Sequence, residues 1–423
     1  MSIATDQEIG LNPIPRTEFV DGFVSHINAI DQVEWLPLEQ CGGRVLAEDM
    51  TSRYALPSGR TFGGDAVVMK YSAFANGNPT PEQTAAWVKG VDWAFADMGD
   101  DVPDEFDCGI RTESVEVLEG GGIRLLGDDP KVSGPESFTE PGSKMQVGDP
   151  LASAGTVLTA TVLAHLASAG HTVVPVRRKV RVAFIPTGSE LVTAGEVLQR
   201  GKIPDSNSYM IRQLILDAGC EPIMFPIVTD TKAALADALE RARTVADLVL
   251  INGGSSKGSE DFNAVLLQRN ATYYQHGVKL RPARVAAASV IDGIPHVNLP
   301  GPTMAAMVVW QWLVRFAIAK LQGLPTPVRP QALAEIAVEP SGGPKMKPEP
   351  KKDAKDGAKD PADAPKPLPD EFMSFYQVKW EDGKLMAYPG RGGHGTPSAF
   401  NAIRIAERMG ALNKGDQIMV ELL

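Results

Sequence analysis

A chain of 423 residues, 43% hydrophobic and 22% charged, is long enough for several domains and has the composition of a folded protein, which excludes wholesale disorder. Its net charge of -11 excludes a general nucleic-acid surface, since neutralising phosphates needs a clustered Lys/Arg excess, so any anionic ligand must be gripped locally. The three cysteines, Cys41, Cys108 and Cys220, are far apart and show neither a disulfide framework nor zinc-ligand spacing, as suits a reducing cytoplasm.

The N-terminus, MSIATDQEIGLNPIPRTEF, has no basic region followed by an apolar one, so no signal segment is expected. The spacing of Phe19, Phe23, Ile27 and Ile30 predicts helix over about residues 16–50. Pro57, Gly59, Gly63 and Gly64 break that pattern, and the short apolar pieces between Ala66 and Val147 predict a small β-rich module, read as an insertion. TATVLAHLASAG follows as a helix ending at Gly170, and HTVVPV as a short strand. From residue 181 to about 325, apolar runs VRVAFIP, EPIMFPIV, ADLVLING and PHVNLP alternate with amphipathic stretches such as SYMIRQLILDAG and KAALADALERAR. That alternation predicts an α/β domain with a parallel-type sheet. MAAMVVWQWLVRFAIAK is interrupted by Arg315, so no membrane span is expected. Beyond Val328, PKMKPEPKKDAKDGAKDPADAPKP has too few large apolar residues for a core and reads as a solvated linker or extended loop. The final stretch, with FMSFYQVKW, KLMAYP and DQIMVELL, predicts a small β domain.

Parallel sheets place ligands beyond the carboxyl ends of their strands, which directs attention to the loops after Ile185, Val228, Ile251 and Leu299. The first, PTGSELV, carries Thr187, Gly188 and Glu190, and no adjacent helix requires Glu190 as a cap. In KIPDSNSYM, residues Asp205, Ser206 and Asn207 suit either capping of the next helix or ligand binding. In NGGSSKGSEDF, residues Gly253, Gly254 and Gly258 let backbone N–H groups approach an anion. Asp261 stands close by for a metal-bridged phosphate. The loop is not a Walker A motif. HGVKLRPARV sets Lys279, Arg281 and Arg284 near the same rim, as oxyanion donors or as a solvated charged edge. In NLPGPTMAA, Pro300 and Gly301 are structural or ligand-facing. The six histidines have no metal-ligand spacing, and His394 in PGRGGHGTPS reads as part of a Gly-rich turn.

Taken in order, PTGSEL, DSNSYM, the Asp230 of IVTD, NGGSSKGSEDF, RPAR and LPGPT resemble the motif series of the MoeA and gephyrin E-domain family: TGDEL, DSN, an acidic turn, GGxSxGxxD, KPGKP and LPGNP. GRVLAEDM, LPSGRTFGGDAVV, AGTVLTATVLAHLASAG and KGDQIMVELL extend the resemblance over nearly the whole chain. A single-domain adenylyltransferase of the same pathway would share only the central part.

The resemblance implies a multidomain α/β protein, usually a homodimer. Its expected layout is a helical and extended first domain at 1–55 and 145–180, a β-rich insert at 56–144, and a molybdopterin-binding domain at 181–327. A C-terminal β domain at 328–423 would contain the low-complexity insert at about 343–367. The implied reaction is insertion of molybdate into adenylylated molybdopterin with release of AMP, assisted by magnesium or a similar divalent cation. The product would pass to other cofactor-assembly proteins or apo-molybdoenzymes. By position, Glu190, Asp230 and Asp261 match the acidic residues around metal and pyrophosphate, and Asp65 a further catalytic Asp. Gly253, Gly254, Ser255, Ser256 and Gly258 match the pterin-nucleotide cradle.

The chain also departs from the family. Arg60-Thr61 stands where the family has an Asp-Asn pair, Arg281 and Arg284 replace lysines, and Ala305 replaces a serine. Two further readings follow: a non-catalytic molybdopterin carrier or scaffold, and an enzyme inserting another oxyanion such as tungstate.

Overall fold

The fold is that of a computed structural model, described over residues 11–127, 130–253, 263–338, 371–389, 400–406 and 412–423. Close contacts divide the chain into two compact units, residues 33–177 and residues 1–32 with 178–423.

The 33–177 unit is built from short antiparallel pairings. Val33–Pro37 pairs with Val173–Arg177 over a core that includes Leu46, Leu158, Leu166 and Val174. Ala160–Ser168 covers this core as a helix, and Thr159 accepts from Val162 N–H to start it. Farther along, Ala66–Met69 is the middle strand between Trp93–Ala96 and Cys108–Arg111. All four of its residues are buried, with Ala66 and Val68 packing on one face and Val67 and Met69 on the other.

The helix predicted over residues 16–50 is much shorter, Arg16–Val24. Ser25 Oγ and His26 Nδ1 both reach the Gly22 carbonyl at 2.8 Å and close the last turn. Ile27 and Ile30 still pack into the core, but from the chain beyond the helix, and VEWLP is the strand Val33–Pro37. Buried apolar residues continued at helical spacing after the helix had ended.

In the other unit, Glu221–Met224, Arg181–Pro186, Leu248–Asn252 and Ile294–Leu299 lie side by side in that order, all parallel. Ala287–Ile291 and Ala271–His276 extend the sheet antiparallel. The tight hairpin at Asp292-Gly293 is a left-handed turn, φ 53° and 79°.

Strand residues alternate between two cores with period 2, as pleating requires. Val182, Phe184, Leu248 and Leu250 face the helices Arg16–Val24 and Asn207–Asp217 and the long helix from Thr303. Ala183, Ile185, Val249 and Ile251 face Lys232–Val245, which presents Leu235, Ala238, Leu239 and Ala242 at helical spacing.

The long helix runs from Thr303 to Gln322 through a π turn at Trp310–Val314 and ends at Gly323, where φ is +69°. The expectation that Arg315 cuts this stretch short is therefore wrong. At 20 residues the helix is long and apolar enough to cross a membrane, but 72% of its most apolar window is buried in the protein, as for a core helix.

The C-terminal part closes into a barrel. Glu371–Glu381 pairs with Lys384–Pro389 on one side and Ala402–Ala406 on the other. Gln331–Ile336 and Gln417–Leu422 complete the ring. Leu280–Arg281 attaches to it through Glu371–Phe372. The predicted insert at about 343–367 and His394 lie outside the described residues.

Candidate functional site at the strand ends

Three parallel strands deliver the loops flagged in the sequence to one rim. Thr187, directly after Arg181–Pro186, donates its N–H to the Asn252 carbonyl at 2.9 Å, with its hydroxyl 3.2 Å from the same oxygen. Gly188 N–H reaches the Val228 carbonyl at 3.2 Å, and Ser189 N–H donates to Asp230 Oδ2 at 3.0 Å. Lys202 Nζ donates to the Ser189 carbonyl at 2.7 Å. The Glu190 and Asp230 loops are thus tied together, with Glu190 exposed to solvent and Asp230 half-buried.

The next loop approaches too closely for any side chain. A Cβ on Gly253 would lie 2.5 Å from the Thr187 carbonyl oxygen and 2.6 Å from its hydroxyl, and φ is +122°. Only glycine fits there. Gly253 N–H donates to the Leu299 carbonyl at 3.0 Å, joining the loops after Asn252 and Leu299.

Buried amides fix the arrangement. Asn207 Nδ2 donates to Asn252 Oδ1 and to the Gly301 carbonyl, both at 2.7 Å, and Asn252 Nδ2 donates to the Pro300 carbonyl at 2.8 Å. Asn263 Nδ2 reaches the Gly253 carbonyl at 2.9 Å. With its amide turned to satisfy its neighbours, Asn298 donates to the same carbonyl at 3.0 Å. Asn252, Asn263 and Asn298 were missed in the sequence. The available signal was an Asn closing each of the buried runs LVLIN and HVN, where an unpaired amide would be costly.

Asp205 serves as a cap. Its carboxylate accepts from Ser208 N–H at 3.0 Å and from the Ser208 hydroxyl, starting the helix Asn207–Asp217. Ser206 Oγ lies 3.4 Å from Thr303 Oγ1. Register carries the basic segment to the same rim: His276 lies opposite Ala287, and Ala287 opposite Asn298, so the loop holding Lys279, Arg281 and Arg284 leaves the sheet at the carboxyl end of Ile294–Leu299. Arg281 is exposed.

Gly254, Ser255, Ser256, Gly258 and Asp261 lie outside the described residues. Asp65 lies in the 33–177 unit, exposed, with Oδ1 accepting from Met98 N–H at 3.0 Å. Among the described residues, no group of three or more His, Cys, Asp or Glu is placed to hold a metal.

Residues 14–170 match the model of the MoeA N-terminal region (domain I and II), and residues 183–320 match that of a probable molybdopterin binding domain. This chain belongs to the MoeA family. The MoeA-family chain is 29% identical over 321 residues to a molybdopterin molybdenumtransferase of Haemophilus influenzae, covering 72% of this chain and 77% of that protein. A protein of the same name from Bacillus subtilis is 26% identical over 317 residues, covering 72% and 74%. The crystal structure of the molybdopterin biosynthesis moeA protein from Pyrococcus horikoshii OT3 superposes with a TM-score of 0.72 at 21% identity, covering 97% of this chain and all of that one, 100%. The shared architecture is the multidomain MoeA fold.

Proposed function

We propose that this chain is a molybdopterin molybdenumtransferase: it inserts molybdate into adenylylated molybdopterin and releases AMP, as a cytoplasmic homodimer. Family membership and the names of its relatives support the reading. The observation that carries it is the convergence of the Thr187, Gly253 and Pro300 loops, cross-linked by Asn207 and Asn252, beside the Glu190 and Asp230 carboxylates.

The loop following Gly253 would receive the phosphate groups, since glycine lets backbone N–H groups close on an anion. The Asn207–Asn252 contact would hold the strand end at Asn252, just before Gly253, without reorganisation. Arg281 and Arg284 would hold the oxyanion with forked donors.

Among the described residues, two carboxylates could serve a magnesium ion. Asp230 uses Oδ2 to accept from Ser189, Glu190 stands exposed on the loop tied to it, and an all-oxygen donor set suits a hard cation that keeps several waters. Glu190, Asp230 and Asp261 would hold the ion, which when bound neutralises charge on the phosphate oxygens.

One observation favours the carrier reading. Arg60, which replaces family Asp-Asn chemistry, is occupied structurally: its guanidinium donates to the Phe106 carbonyl at 3.0 Å, lies 3.3 Å from Glu140 and stacks 4.0 Å over Phe138. It supplies no carboxylate in exchange.

The test is to incubate the purified chain with adenylylated molybdopterin, magnesium and molybdate, and to follow AMP and pterin-bound metal. Oxyanion-dependent AMP release supports the transferase, and tight pterin binding without AMP release leaves the carrier. Repeating with tungstate distinguishes the oxyanions.

A further inference from the structure

A pocket in the 1–32 and 178–423 unit lies well away from the strand-end rim. It is walled by Gln311, Trp312 and Arg315 of the long helix and by Met373, Ile403 and Glu421 of the barrel. Trp312 is nine residues beyond Thr303 at the rim, which at 1.5 Å per residue is about 13 Å along the helix.

Its charge is unbalanced towards cations. Arg16 also lines it, but is paired twice with Glu371, at 2.8 and 3.2 Å. Arg329 has a side chain only 8% exposed, lies 3.6 Å from Glu421 and donates to Gln311 Oε1. The Arg315 guanidinium forms no ion pair or hydrogen bond among the described residues, and Glu421, already engaged by Arg329, is the carboxylate whose field acts on it. Two guanidiniums therefore share one carboxylate. Burial, followed by the charge of Arg315, pushes Arg329 down to about 10.

A second feature is independent of charge. Trp312 is 1% exposed, and its indole N–H meets no acceptor among the described residues. A buried donor without a partner is costly and rare.

The geometry points to a binding site for a small tetrahedral oxyanion of the phosphate or sulfate class, held by Arg315 and Arg329 against the Trp312 wall. The pocket offers about 200 Å³. At ~30 Å³ per water, that space takes roughly six waters, enough for such an anion and part of its shell. It falls below the ~300 Å³ at which sites for larger organic ligands begin, which argues against a nucleotide. In an acidic chain, an excess positive charge walled by a buried tryptophan and apolar strand residues is the local grip that an anion requires. The site does not depend on turnover at the rim.

Isothermal titration of the full chain at low salt with inorganic phosphate, and separately with sulfate, tests this. Saturable binding is expected, weakened about tenfold or more by Arg315→Met and by Arg315→Gln, each of which removes the guanidinium. Arg281→Met at the rim should leave this binding unchanged. Circular dichroism checks that the variants fold, and if Arg315→Met does not, Arg315→Gln decides. Absence of saturable binding, wild-type binding by a folded Arg315 variant, or loss of binding in Arg281→Met would each overturn the assignment.

Discussion

Asn207 and Asn252 meet side chain to side chain at 2.7 Å, joining the first turn of one helix to the last residue of the central parallel strand. The contact stabilises the rim because both amides are buried and each also holds a carbonyl of the Pro300-Gly301 turn. Replacing Asn252 with Leu removes one of the two acceptors of the Asn207 amide and strands the Pro300 carbonyl. A loss of roughly 1–3 kcal/mol per orphaned group is expected. Urea unfolding measures it, and a variant as stable as wild type would show that water takes over the bonds.

Gly253→Ala should be worse than an ordinary surface change. The added methyl meets the Thr187 carbonyl at 2.5 Å, backbone that cannot swing aside, at a φ of +122°. A cost of about 1–3 kcal/mol is expected from strain alone, with pterin affinity falling as the loop shifts. Thermal unfolding and pterin titration check both, and wild-type values in each would refute the close approach.

His296 gives the protein an acid-sensitive step. Burial holds its imidazole down to about 4 against the usual 6.5, while Nδ1–H donates to the Ile294 carbonyl at 2.8 Å. Because its pKa is lower folded than unfolded, the unfolded chain binds the proton first. Stability should therefore decline as pH falls from about 6.5 to about 4, by up to ~1.4 kcal/mol per pH unit from this group. Melting curves of His296→Leu should show a shallower decline over that window. An identical slope would exclude His296 as a contributor.

Burial pushes the Cys108 and Cys220 thiols up to about 12, and raises Cys41 as well. All three are buried and unpaired. Native protein at neutral pH should resist thiol reagents and release all three thiols on denaturation. Rapid labelling of folded protein would contradict the burial.

Much of the fold was legible because buried parallel strands write themselves as unbroken apolar runs, as in VRVAFIP and ADLVLING. The Asp292-Gly293 turn and the antiparallel pair it joins were not anticipated. Failures arose where pattern and packing part company. Ile27 and Ile30 continue a helical spacing outside any helix, and Arg315 sits in a helix that runs past it because its charge reaches a pocket. The Gly253 loop and the Glu190 and Asp230 carboxylates could be picked out from strand ends and motif order. The Asn207 contact to the Gly301 carbonyl spans 94 residues, and no local pattern encodes so distant a partner.

The most direct measurement is molybdate-dependent AMP release by the wild-type chain beside Glu190→Gln, Asp230→Asn and the distant Arg315→Met. If the strand-end rim is the reaction site, the two carboxylate variants lose at least about tenfold in rate while still binding the pterin, and Arg315→Met keeps its turnover. Full AMP release by both carboxylate variants, or none by the wild type, would contradict the assignment.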